Sequence, residues 1–208
     1  MSAVLELVES HKSFDKFSLF FNKILEYVTF SDEELKTIGS QLKCRQFEKG
    51  EYLVKAGEVS QRFYFVVSGL TRVFHLNKDK EINTGFFWGE QFVTDYASFI
   101  TRHPSVEFAQ CLEDTKVITF DYSSVKFLYK NTHSWETLCR LFVEQRFLEV
   151  TSRAVFLQTG DAKQRYMAFV KNTPTNLVKK IPNYQIASYL GITPESLSRV
   201  RQKINSAC

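Results

Sequence analysis

The chain has 208 residues, 44% of them hydrophobic, with 27 Lys or Arg against 23 Asp or Glu and a net charge of +4. That length supports one large or two modest domains with a sizeable core. No apolar run reaches the about 18 residues of a membrane-spanning helix, and the first ten residues hold Glu6 and Glu9 with no basic segment, which argues against a membrane protein and against a signal peptide.

Residues 1 to about 39 have helical spacing. Val4, Leu5 and Val8, then Phe17, Phe20, Phe21, Ile24 and Leu25, recur every three or four positions. Ser31 with Glu34 three residues later predicts a capped helix start, with Leu35 and Ile38 facing the core and Gly39 closing the turn. From Leu42 the period shortens. Phe47–Val54 alternates around a Lys49-Gly50 turn, Ala56-Gly57-Glu58 is another turn, and Phe63–Val67 is a short apolar strand ending at Ser68-Gly69. Thr71–Leu76 and Ile82–Phe87 flank the polar turn Asn77–Lys80, and Val106–Leu112 and Lys116–Phe120 supply two more strands. Short strands at such intervals predict an antiparallel barrel or sandwich. Twenty Phe and nine Tyr suit aromatic packing in such a part.

Residues 123 to about 157 return to helix period. Leu138, Leu141, Gln145, Leu148, Ser152 and Val155 follow heptad steps, a seam through which the helix can pair with a second copy of itself. The alternative is a helix packed only on its own strands through Trp135, Phe142 and Phe147. Thr159-Gly160-Asp161 reads as a hinge. Asp161 caps a helix that turns Tyr166, Phe169 and Val170 inward, and Asn172-Thr173-Pro174 ends it.

The last stretch, Tyr184 to Ile204, reads as two short helices. Ile186, Ala187 and Leu190 share one face, and Gly191 suits a left-handed stop. Thr193 is an N-cap, Pro194 sits at the first helical position, and Glu195 suits the helix dipole. Leu197, Val200 and Ile204 form the buried stripe. Two helices about a glycine turn are what a helix-turn-helix requires, although an ordinary charged helical hairpin has the same pattern. Arg199 suits guanine O6 and N7 and Glu195 suits cytosine N4, with Ser198 beside them; Ser188, Thr193, Ser196, Arg201 and Lys203 suit phosphates. Lys179 and Lys180 add a sequence-independent, salt-dependent attraction. From Arg153 onward nine basic residues face two acidic ones, a net +7 beside −3 for the rest. A basic end on an acidic body is the footprint of a nucleic-acid-binding module.

Cys44, Cys111, Cys139 and Cys208 form no C-x-x-C pair, so no clustered metal site is predicted and reduced thiols are expected. His75 and Cys111 stand alone. No nucleophile elbow, phosphate loop or Cys/His pair is present, and no enzyme is predicted.

Ala187 to Arg199 resembles the helix-turn-helix signature of the Crp/Fnr family of bacterial transcription regulators. Lys49-Gly50-Glu51 with Leu53, Ala56-Gly57-Glu58, and Tyr64–Gly69 resemble that family's β-roll. The resemblance implies an α+β fold: N-terminal helices and an antiparallel β-roll sensor over 1–122, a dimerisation helix over 123–157, and a helix-turn-helix domain over 158–208. It implies a cytoplasmic homodimer that binds double-stranded DNA and acts with RNA polymerase, with base-reading roles at Glu195 and Arg199. Pro194 stands where the family carries a further base-reading arginine, so the operator should differ. After Ile204 only four residues remain, too few for the hairpin wing that often follows.

In that family a cyclic nucleotide sits in the β-roll. A Gly-Glu pair takes the ribose, and its phosphate meets a short helix start and an Arg-Ser pair. Gly89-Glu90 matches the first pair, and Asp95 to Ile100 is the candidate short helix. At the Arg-Ser positions this chain has Ser105 and Val106, with Arg102 three residues before. Loss of the charge-assisted partner costs about 1.5–3 kcal/mol, roughly one to two decades of affinity. Tight binding of cyclic AMP is therefore not expected, and the effector is open. The rival function is a cyclic-nucleotide-binding sensor that acts through a protein partner.

Overall fold

The computed structural model describes residues 14–206; the predicted helix positions Val4, Leu5 and Val8, and Cys208, lie outside them. The chain divides into two compact units. The first holds the residues up to Arg72 together with Phe86–Glu144, and the second holds Val73–Gly85 together with the chain from Gln145 onward.

In the first unit, helix α1 (Phe14–Leu25) and α2 (Asp32–Ser40) precede the strands. The Ser31–Glu34 capping box forms as predicted: Glu34 N donates to Ser31 Oγ, and Ser31 N donates to Glu34 Oε2 at 2.9 Å. Gly39 lies inside α2 rather than closing it, because Gln41 N still donates to Ile38 O and carries the cap to Gln41. The strands are β1 (Lys43–Phe47), β2 (Tyr52–Val54), β3 (Arg62–Ser68), β4 (Leu70–Asn77), β5 (Lys80–Trp88), β6 (Phe92–Val93), β7 (Phe108–Cys111) and β8 (Thr115–Asp121). They form a roll of two four-stranded sheets, ordered β1-β8-β3-β6 and β2-β7-β4-β5. β8 pairs antiparallel with both β1 and β3, with Ile118 opposite Cys44 and Phe65. Between β3 and β4, Gly69 has φ +114, and a Cβ there would stand 2.4–2.8 Å from Thr115, so only glycine fits. β6 is too short for a period-2 pattern to reveal.

The core of this unit lies where helices cover the β1-β8-β3-β6 sheet. Phe17, Phe20, Phe21 and Ile24 of α1 meet Phe65, Ile118 and Phe120 of the sheet. Phe20 has ring centroids 5.4 Å from Phe65 and 5.2 Å from Phe120, the edge-on and tilted contacts that aromatic quadrupoles favour. Helix α3 (Tyr96–Thr101) follows β6.

The predicted helical stretch from 123 is two helices. α4 (Tyr122–Asn131) ends at Thr132, whose φ of −139° and ψ of +101° are extended, and α5 (His133–Thr159) restarts there. Trp135 and Leu138, 5% and 1% exposed, anchor α5 in the first unit's core.

The second unit contains α5 from Gln145, then α6 (Ala162–Asn172), α7 (Thr175–Lys180), α8 (Asn183–Leu190) and α9 (Pro194–Asn205). Asp161 caps α6 through a box with Gln164, and Phe169 faces inward at 7% exposure. Helix α7, not signalled by its six-residue sequence, starts behind Pro174.

Candidate nucleic-acid interface and effector cassette

Helix α8 starts behind Pro182, whose carbonyl accepts from Gln185 N and Ile186 N. Ile186, Ala187 and Leu190 are buried, which fixes its inner face. Gly191 ends it at φ +66, and Ile192 N returns to Ala187 O at 3.0 Å. Arg165 Nη1 donates to Leu190 O at 3.0 Å, adding a cation at the negative end of the helix. Thr193 Oγ1 accepts from Ser196 N at 3.2 Å and caps α9, with Pro194 in its first turn. Leu197, 1% exposed, packs inward.

Glu195, Ser198, Arg199 and Gln202 are all exposed. Ser198 and Arg199 lie three and four residues after Glu195, and Gln202 lies four and three residues after them, which puts all four on one stripe of α9. Arg199 Nη2 donates to Ser196 Oγ at 3.2 Å. Glu195 is held below the ordinary carboxyl value by a hydrogen bond from Thr193, then by its own N–H and the charge of Arg199. Its ionised carboxylate is an acceptor only. The stripe thus offers an acceptor, a hydroxyl, a guanidinium fork and an amide, the groups that distinguish base edges in a major groove. Gln202 carries no sequence motif of its own; its position three residues past Arg199 is the signal that places it on the stripe.

The residues expected at phosphates are placed differently from one another. Thr193, Lys203, and Lys179 and Lys180 in the last turn of α7 are exposed, and Ser196 is half-buried. Arg201 turns to the protein: Nε donates to Tyr166 Oη at 3.0 Å, Nη1 donates to Asn183 Oδ1, and the guanidinium lies 5.2 Å from the Tyr166 ring. It ties α9 to α6 and α8. Ser188 Oγ donates to Glu81 O at 2.9 Å and accepts from Asn83 N at 3.0 Å. Arg153, Glu81 and Asn83 escaped the sequence reading because their contacts with α8 span 36 to 107 residues.

In the first unit, Gly89-Glu90 forms the turn between β5 and β6. Glu90 has φ +67 and is exposed, and its N–H donates to Val66 O at 2.8 Å. Asp95, 7% exposed, caps α3: Oδ1 accepts from Ser98 N at 3.0 Å and Oδ2 accepts from Ser105 Oγ at 2.6 Å. Ser98 Oγ in turn donates to His103 O and accepts from Ser60 N. Arg102 donates through Nη1 to Ser60 O at 2.8 Å and Phe99 O at 3.1 Å, and through Nη2 to Gln61 Oε1 at 2.6 Å. Its guanidinium lies 4.1 Å from the Tyr122 ring centroid. Val106 is 70% exposed. Of Gly89, Glu90, Arg102, Ser105 and Val106, only Ser105 faces the helix start, and it faces a carboxylate there. A buried cation that the sequence reading missed is Arg72 on β4, 4% exposed, whose Nε and Nη2 donate to Gln110 Oε1 at 3.1 and 2.7 Å. An open groove of about 440 Å³ lies elsewhere, among Tyr96, Tyr129, Glu136, Cys139, Arg140 and Glu144. Burial pushes the Cys139 thiol up to about 11, so it stays protonated and unreactive at neutral pH.

On α5, Leu138 faces its own unit's core and presents nothing to a second chain. Leu141 is half-buried, and Gln145 and Ser152 are exposed. The exposed apolar side chains of this helix are Val143, Phe147, Leu148, Val150 and Val155, at 39%, 68%, 65%, 51% and 55%. Phe147 therefore lies outside the core that the alternative reading gave it, whereas Trp135 is buried and Phe142 packs against the core.

Among the described residues, no three His, Cys, Asp or Glu side chains stand together as a metal site, and no helix is long and apolar enough to cross a membrane.

Residues 44–132 match the family model of the cyclic nucleotide-binding domain. Characterised protein sequences give no match. Solved structures do. The c-di-GMP responsive global regulator CLP of Xanthomonas campestris is 16% identical with a TM-score of 0.66, over 85% of this chain and 93% of that one. FixK2 of Bradyrhizobium japonicum is 16% identical with a TM-score of 0.67, over 80% and 85%. The catabolite activator protein of Thermus thermophilus is 19% identical with a TM-score of 0.54, over 85% and 84%. At these identities the likeness is one of fold, and it is the α+β fold of Crp/Fnr-type regulators: a β-roll of the cyclic nucleotide-binding kind with N-terminal and C-terminal helices.

Proposed function

We propose that this protein is a cytoplasmic, homodimeric, sequence-specific DNA-binding transcription regulator of the Crp/Fnr type. The observation that carries the reading is the α8–α9 pair. Gly191 and Thr193 build the turn, and Glu195, Ser198 and Arg199 stand exposed on one stripe of the second helix. Residues 1–122 serve as sensor, 123–157 as the dimer-forming segment, and 158–208 as the reading domain. Pairing runs through the exposed apolar side chains of α5, and RNA polymerase is the further protein partner.

The sensor's effector is not tightly bound cyclic AMP. Asp95 holds a carboxylate at the start of α3, where a phosphate would meet like charge, and Arg102 is engaged by backbone carbonyls and Gln61. A second reading, a nucleotide sensor acting through a protein partner, is equally compatible with the match of residues 44–132 to the cyclic nucleotide-binding domain.

Selection from a random duplex pool separates the two. The expected result is a two-fold symmetric consensus with half-sites about 34 Å apart, unchanged by cyclic AMP or cyclic GMP. Absence of any consensus, together with micromolar nucleotide binding followed by Trp88 and Trp135 fluorescence, would favour the second reading.

A further inference from the structure

The hairpin Val73–Gly85 packs in one compact unit with the helices from Gln145 onward. Its turn residues Lys78 and Asp79 have φ of +47° and +66°. Two consecutive left-handed residues close a tight hairpin that matches strand twist. The returning strand brings Glu81 and Asn83 to α8. Ser188 Oγ donates to Glu81 O and accepts from Asn83 N, at 2.9 and 3.0 Å. Arg153 Nη2 donates to Tyr189 O at 2.9 Å and Asn83 O at 3.4 Å, and its guanidinium lies 4.4 Å from the Tyr189 ring centroid. One serine and one arginine thus join the hairpin to the first helix of the reading pair.

A second observation concerns the Asn83 side chain. The residue is 1% exposed, and neither its amide nitrogen nor its amide oxygen has a hydrogen-bond partner. Native proteins seldom retain such groups, because an unpaired buried amide opposes the state that buries it. The contacts to Ser188 and Arg153 use only the backbone of Asn83. The junction therefore combines four hydrogen bonds with an unpaired buried amide that opposes them.

We propose that Ser188, Asn83 and Arg153 form a two-state lock that positions the reading helices. This rests on the DNA-binding reading above. The lock engages α8 and leaves the α9 stripe of Glu195, Ser198 and Arg199 exposed, so the closed form is the one ready for DNA. A head already held in place has less freedom to lose on binding. Ser188 is then a positioning residue rather than a phosphate ligand.

Two substitutions in the full-length protein should act in opposite directions. Ser188→Ala removes the acceptor for Asn83 N–H. It should speed exchange of that amide by about tenfold or more and weaken binding to the selected duplex by about tenfold, with random duplex unaffected. Asn83→Leu removes both unpartnered atoms and keeps the backbone contacts. It should raise the Tm, slow exchange at Asn83's position and bind the selected duplex at least as tightly. Arg153→Gln should repeat the effect of Ser188→Ala. The proposal is overturned if Asn83→Leu lowers the Tm, if exchange is unchanged in Ser188→Ala and Arg153→Gln, or if the lock opens with no change in specific affinity. If the unmodified protein selects no duplex, the DNA-binding reading fails by itself, and exchange and Tm still report whether the lock exists.

Discussion

The reading pair and the effector cassette are built from the same kinds of residue and use them in opposite ways. In α8–α9, Thr193 caps the helix, and Glu195, Ser198, Arg199 and Gln202 beyond it stand outward. In the cassette, Asp95 caps α3, and Ser98, Arg102 and Ser105 all bond to other parts of their own unit. A polar group already paired inside a fold has little left for a ligand, whereas an exposed stripe held by a capped helix is available at no structural cost. In this stretch Asp95, Ser98, Arg102 and Ser105 are engaged within the fold.

The sharpest way to break that comparison is Asp95→Ala. It removes a buried cap and strips Ser105 Oγ of a carboxylate partner, so urea denaturation should show a loss of about 2–4 kcal/mol. A stable Asp95→Ala protein that gains cyclic AMP binding would mean the cassette still holds a ligand site. Arg199→Ala comes next. It should leave the urea midpoint unchanged and cost about 1–3 kcal/mol at one base pair of the selected duplex. Thr193→Ala should destabilise the reading domain by about 1 kcal/mol through the lost cap, measured by thermal unfolding. The smallest effect is expected for Lys179→Ala and Lys180→Ala. Each should lower the slope of log K against log salt by about 1, equally on selected and random duplex.

A pH effect sharpens the same point within the first unit. Asp121 is held below its ordinary value of 3.8 by the Lys43 hydrogen bond first, with Arg62 contributing. Its folded pKa is depressed, so the stability it confers is present above 3.8 and is lost as pH falls through the folded value. Asp121→Asn should flatten the acid limb of the stability curve.

The reading pair was legible because its signals are local. Gly191, Thr193 and Pro194 act within a few residues of where they stand, and so do the capping boxes at Ser31 and Asp161. The strands of the roll were legible from alternation or short apolar runs, apart from two-residue β6 and from β1, of which only Phe47 fell in a predicted strand. One local signal misled, and the other misses were set by distant partners. Gly39 looked like a stop but sits inside α2, since the backbone bonding continues to Gln41. Leu138 fits a heptad, yet the core beside Trp135 takes it, while Leu148 and Val155 of the same heptad stand exposed together with Val143, Phe147 and Val150. Arg201 looked like a phosphate ligand until Tyr166 and Asn183 were beside it. In the cassette, the sequence showed that the Arg-Ser pair was gone. Only the fold revealed that Ser105 and Asp95 had become partners across ten residues.

The most direct test of DNA reading by α9 is a competition measurement. The unmodified protein and Arg199→Ala are each titrated with the selected duplex and with a scrambled duplex of equal length, at one salt concentration. The account predicts a preference of about a thousandfold or more for the selected duplex, and a tenfold to roughly hundredfold loss in Arg199→Ala confined to that duplex. Equal losses on both duplexes, or no preference in the unmodified protein, would contradict it.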